Sequence, residues 1–184
     1  MKEQTRKLIG YLNLLGVKID SDRFDSRIKA QKLTYIIQKI IGKQLYGDFN
    51  FYIRGPYSRE LARDYFGNKE DFVNGKSDYK PTKEEYGEIE RVKPLLETLN
   101  QTDLEIVASL LFLERDRGFD ENKAEIELNS RKPHLKMEDI WRGTNTIKKL
   151  FLTEKLRETI MNSLKSEMEE WDNISNESLG RYGQ

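Results

Sequence analysis

The chain contains no cysteine, only four prolines, a single histidine and no net charge. Without thiols there is no disulfide framework, no thiolate nucleophile and no cysteine-held zinc. His134 has no orienting carboxylate or nucleophile identifiable beside it, so it reads as structural rather than as a base or metal ligand. No apolar run approaches the roughly 20 residues needed to cross a bilayer. Met1–Lys7 lacks the apolar core of a signal peptide, so the expected location is cytoplasmic, with no membrane partner. No phosphate loop is present. Asp64, Glu114, Asp116 and Asp120 lack the oxygen spacing of a calcium loop and read as surface charge. The expectation is a protein with no catalytic residues, no metal and no cofactor, and therefore not an enzyme.

What is present is 184 residues that are 36% apolar and 35% charged, enough for one well-cored domain under an ionic surface. The charge is unevenly spread. Residues 1–46 carry ten Lys/Arg against four Asp/Glu, and residues 153–184 carry four against seven. A basic front admits a nucleic-acid-facing surface, although overall neutrality weighs against it. A solvated helix face is the plainer alternative.

Hydrophobic periodicity is mostly helical. Leu8, Leu12 and Leu15 form one stripe over 3–15, closed by Gly16. Residues 23–42 carry Ala30, Leu33, Ile36, Ile37, Ile40 and Ile41 on a broad apolar face, with Arg27, Gln31, Thr34 and Gln38 opposite. Phe49–Ile53 is aromatic and β-branched enough for a short strand. Ser58 is placed to cap a helix over 59–66. Asn68–Pro81 is polar, and its Asn74–Gly75 pair signals a hairpin turn, so a loop or β-wing is expected there. Thr82–Glu85 is a capping box, and Pro94 is expected to interrupt the helix it opens. A second capping box at Thr102–Glu105 precedes Ile106–Leu113, which is apolar almost all round and belongs at the centre of its domain. Helices over 121–129 and 136–151 flank a break at Arg131–His134. A last amphipathic helix over 153–172 places Leu156, Ile160, Leu164, Met168 and Trp171 on one stripe, followed by a flexible polar tail at 173–184. The fold class is mainly α: one helical domain over 1–172 with a short β-hairpin or wing-like element, α+β by strict count.

Two groups of residues stand out. The first surrounds a corner in Phe49–Leu61, where an aromatic strand stops at Gly55–Pro56 and a capped helix starts. Gly55 permits the turn and Pro56 stiffens it, while Ser58 satisfies a helix amide. Arg54, Tyr57, Ser58 and Arg59 then form a candidate partner- or anion-binding point near the amides of that helix. The structural alternative ties Arg54 to an acid such as Glu60 or Asp64. The second group is Arg27, Gln31, Lys32 and Tyr35 on the helix 23–42, residue types able to contact a partner, a phosphate or a base edge.

Arg27–Tyr35, Phe49–Leu61, Leu104–Glu114 and Lys132–Pro133–His134 together resemble the YwgA-like family of bacterial and archaeal proteins. The resemblance covers residues 5–150. The order of parts (QKL helix, aromatic strand, Gly-Pro corner, capped helix) is also similar to the broader Panacea, or SocA-like, domain. In that domain a small apolar residue usually follows Gly-Pro, where this chain has Tyr57 and Ser58. The resemblance implies an antitoxin or adaptor module that binds a protein partner, and it carries no catalytic residues over.

The expectation is thus a non-enzymatic interaction or regulatory module. It would bind a protein partner through the corner and the polar face of the helix 23–42, in an antitoxin or defence role. The alternative is a winged-helix-like DNA- or RNA-binding regulator using the basic N-terminal half, with Asn68–Pro81 as its wing. A homodimer through the helix 153–172 is the alternative to docking of that helix on its own domain.

Overall fold

The computed structural model describes residues 1–152, 156, 159, 162–168 and 171. It divides into two compact units, Met1–Leu150 and Phe151–Gln184. In the second unit residues 156, 159, 162–168 and 171 are helical. The remainder of the helix expected over 153–172, and the whole expected tail at 173–184, lie outside the described residues.

The first unit is mainly helical with one antiparallel hairpin, as the periodicity predicts. Its elements are α1 (Glu3–Leu14), α2 (Phe24–Ile40), β1 (Asn50–Tyr52), β2 (Gly55–Tyr57), α3 (Arg59–Gly67), α4 (Lys69–Asn74), α5 (Lys83–Glu97), α6 (Gln101–Arg115), α7 (Glu121–Arg131) and α8 (Met137–Leu150). The all-round apolar segment is indeed central. Leu104 to Leu113 are buried without exception, and α6 packs against α2, α7, α8 and β2. Gly143 lets α8 come close, since a Cβ there would stand 2.5 Å from Ile106 Cγ2.

Helices α3, α5, α6 and α7 start on a side-chain cap. The Ser58 hydroxyl accepts from the Leu61 amide, and Thr82 and Glu85 form the expected capping box. The start of α6 differs. Its capping box is Asn100 with Asp103, two residues before the expected Thr102, because an asparagine amide satisfies the first turn equally well. Pro94 does not interrupt α5, which runs through it to Glu97, although the proline has no amide to donate to the helix.

The largest correction concerns Asn68–Pro81. It forms no wing; instead Lys69–Asn74 is a short helix, and Gly75 (φ +67°) closes it as a left-handed C-cap. A positive-φ glycine after asparagine serves a helix end as readily as a hairpin turn, and the buried Phe72 decides for the helix. The wing-like element is β1–β2 alone. Its pairs are Asn50 with Tyr57, Phe51 with Pro56 and Tyr52 with Gly55, so the chain reverses at Ile53–Arg54 rather than at Gly55–Pro56.

Two carboxylates hold the outer helices. Asp64 is buried rather than at the surface, accepting from Thr5 at 2.7 Å and Tyr46 at 3.0 Å, which ties α1 to α3. Glu85 accepts from Lys43 at 2.7 Å, Tyr79 at 2.6 Å and the Thr82 amide at 2.9 Å. Its burial opposes ionisation, but those donors together outweigh it and hold its pKa near 2.

Candidate functional site

The polar face of α2 is not solvated. Gln31, Lys32, Thr34, Tyr35 and Gln38 are all buried. Gln31, Lys32 and Gln38 pair with backbone groups between Leu45 and Ser58, whereas Tyr35 donates to Asp116 and the Thr34 hydroxyl has no hydrogen-bond partner among the described residues. Gln38 Oε1 accepts from the Leu45 and Tyr46 amides, both at 3.3 Å. Gln31 acts as a mimic of a strand edge, accepting from the Ser58 amide at 2.8 Å and donating to the Ser58 carbonyl at 3.0 Å. Lys32 Nζ donates to the Pro56 carbonyl at 2.8 Å. The side chains of α2 therefore hold β2 in place where a third strand would otherwise sit.

Beneath the hairpin lies a buried ionic cluster. Glu105 of α6 is hydrogen-bonded to Lys132, the C-cap of α7, and lies 3.7 Å from Arg54. Lys32 and Lys132 are each only 2% exposed. Burial pushes Lys32 down to about 7; Glu105 opposes this, while Lys132 and Arg54 reinforce it. The unfolded chain therefore holds more protons than the folded one between about pH 7 and 10.5, so the Lys32 contribution to stability rises with pH across that window. Urea unfolding of the wild type and Lys32→Met at both ends of that range checks this. The variant is expected to gain relative to wild type at the acid end and to lose that advantage at the alkaline end. A pH-independent difference between the two would contradict it.

Above the cluster, α2, the hairpin and α3 enclose a cleft of about 400 Å³. Its walls include Phe24, Tyr52, Ile53, Tyr57, Tyr65 and Phe66, and its polar lining includes Arg27, Gln31, Lys32 and Arg54. Several of these apolar groups are left in water: Phe24 is 58% exposed, Tyr52 42%, Phe66 48% and Ile53, at the hairpin tip, 93%. The Arg27 guanidinium lies 5.5 Å from the Phe24 ring centre and 5.8 Å from that of Phe66. Arg54 lies 5.6 Å from Phe24. Tyr52 and Tyr57 meet edge to face at 5.4 Å.

The structure thus brings Arg27, Gln31, Lys32, Arg54 and Tyr57 to one place and separates the other three candidates from it. Ser58 is buried as the α3 cap and is bonded to Asp48, Arg59 is exposed, and Tyr35 donates to Asp116 elsewhere. Gln31 and Lys32 are occupied in holding the Pro56–Ser58 backbone, which leaves the Arg27 and Arg54 guanidinium groups as the candidates for contact with a ligand. Arg54 pairs with neither Glu60 nor Asp64; its acid is Glu105. Phe24, Ile53, Phe66, Glu105 and Lys132 went unnoticed as site residues. Of these, only the exposed aromatic at the start of a helix and the isoleucine at a hairpin tip left a trace in the sequence.

A larger cleft of about 500 Å³ runs past Tyr35, Lys39, Lys43 and Asp116. Of its charged lining, Lys39 is paired with Asp116 at 2.6 Å and Lys43 with Glu85 at 2.7 Å, while the Arg117 guanidinium lies 5.6 Å from the Phe112 ring centre. Among the described residues no cluster of three or more His, Asp or Glu could hold a metal ion, and no helix is long and apolar enough to cross a membrane.

The fold and cleft together define a helical protein, centred on α6, with an aromatic and cationic groove beside a small hairpin. No family model, curated protein or solved structure matches the chain.

Proposed function

We propose that this protein is a non-catalytic interaction module, acting in the cytoplasm, whose cleft between α2, the hairpin and α3 receives a segment of a protein partner. One observation carries the reading: Phe24, Tyr52, Ile53 and Phe66 stay exposed around one concavity instead of joining the core. Scattered exposed apolar residues are ordinary, but a contiguous group lining a groove marks an interaction surface. Stacked guanidinium and aromatic groups are also the side chains that dominate binding energy at interfaces. The resemblance to SocA-like adaptor domains points the same way and adds an antitoxin or defence role to the proposal.

Photo-crosslinking tests it. A photoreactive phenylalanine analogue replaces Ile53 in the full chain inside native cells, with Ile126, 68% exposed on α7, as the control position. The expected result is one discrete adduct from position 53, absent from position 126 and lost when Phe66→Asp is added. Identical adduct patterns from the two positions would remove the basis for the reading.

A further inference from the structure

We infer that the occupant of this cleft is an acidic–apolar peptide segment: a chain in which an Asp or Glu is flanked by bulky apolar residues. The inference rests on the partner-binding reading and specifies its chemistry. The cleft lining holds two guanidinium groups, Arg27 and Arg54, together with the buried Lys32, and no carboxylate. Glu105, 3.7 Å from Arg54, is not among the lining residues and is already engaged by Lys132.

The two arginines have donors to spare. Among the described residues the only hydrogen bond of the Arg27 side chain goes to the Ser21 carbonyl, at 2.8 Å. Arg54 stands 3.7 Å from Glu105, beyond hydrogen-bonding distance, and its side chain is 55% exposed. A guanidinium carries five donors in a planar fork suited to a carboxylate, and one held against an aromatic ring is already oriented. The Arg27 and Arg54 guanidinium groups lie 5.5 Å and 5.6 Å from the Phe24 ring centre, so a carboxylate entering beside that ring finds a guanidinium fork next to it.

The apolar part of the ligand follows from the walls. Tyr52, Ile53 and Tyr57 line the cleft from the hairpin segment and Phe24 and Phe66 from α2 and α3, and each side also contributes an arginine or lysine. A partner chain lying in the groove therefore presents an acid to the arginines and bulky apolar side chains beside it. A groove lined with excess positive charge in partly apolar surroundings also disfavours basic segments, which supplies selectivity as well as affinity.

Panning a phage-displayed random nonapeptide library against the full chain tests the assignment. The expected winners carry Asp or Glu flanked by apolar residues. Changing that acid to its amide in a recovered peptide is expected to weaken binding by about tenfold or more, the scale of a lost charge-assisted pair. The Arg27→Gln, Arg54→Gln double variant, shown folded by its melting curve, is expected to bind the acidic peptide about tenfold more weakly and to lose most of the preference for acid over amide. Winners that are apolar without an acid, or that are basic, would overturn this inference and leave the partner-binding reading standing. If no peptide is enriched, both fall. Displacement of the peptide by a DNA duplex at low salt, with a stronger affinity than the peptide itself, would also overturn it in favour of phosphate recognition.

Discussion

Glu105→Ala is expected to destabilise the first unit by about 3–5 kcal/mol, a large share of the stability of an ordinary domain. Glu105 is 7% exposed and is the carboxylate bonded to Lys132. It also opposes the desolvation of Lys32. Without it, two buried ammonium groups share one small volume with only the Pro56 carbonyl as a hydrogen-bond acceptor for Lys32. Both would have to stay charged at a penalty or give up their protons, and either route disfavours the folded state. Removing the charges together behaves differently. Glu105→Leu combined with Lys132→Met is expected to regain most of the loss, since packed apolar groups replace a buried ion pair with little penalty. Urea unfolding of the three variants measures this. A single-variant loss below about 1 kcal/mol would mean that the carboxylate behaves as a surface group.

Gly55→Ala is the second large effect, and it separates backbone strain from crowding. Gly55 has φ +83°, and a Cβ built on it collides with the Ser109 hydroxyl. The left-handed backbone alone contributes about 1–2 kcal/mol against an L side chain. Overpacking against α6 adds about 1–3 kcal/mol. Ser109 makes the two parts separable. Its buried hydroxyl has no hydrogen-bond partner among the described residues, so Ser109→Ala by itself is expected to be neutral or stabilising. In the double variant the hydroxyl is gone and only the backbone part of the Gly55→Ala loss should remain. A strictly additive pair would show that the hairpin lifts away from α6 instead of pressing into it. That outcome has a functional reading, because the same hairpin carries Tyr52, Ile53, Arg54 and Tyr57 to the cleft.

These two positions show which parts of the protein could be read along the chain. The centrality of α6 follows from Ile106–Leu113 alone, since a helix apolar on all sides has to be enclosed. The caps at Ser58 and Thr82 are equally local, each a side chain and an amide three residues apart. The cationic pair Arg27 and Arg54 was also within reach, one from a helix face and one from the corner. The polar stripe of α2 was misleading. Gln31, Thr34 and Gln38 repeat at helical spacing as a solvated face would, and no local rule distinguishes that from a face turned toward unpaired backbone. Asn74–Gly75 was ambiguous for a related reason, because one glycine conformation serves two kinds of chain reversal.

The sequence by itself determined a mainly helical chain with a short hairpin, the places where most helices begin, and which helix is innermost. Those features depend on interactions between residues a few positions apart or on the summed hydrophobicity of one segment. Only the tertiary structure decided that Gln31 and Lys32 serve β2, that Lys132 answers Glu105 across 27 positions, and that Phe24 and Phe66 face Ile53 over one cleft. A polar or aromatic side chain carries the same chemistry whether it meets water, backbone or a partner. The packing of distant segments determines which of these it meets.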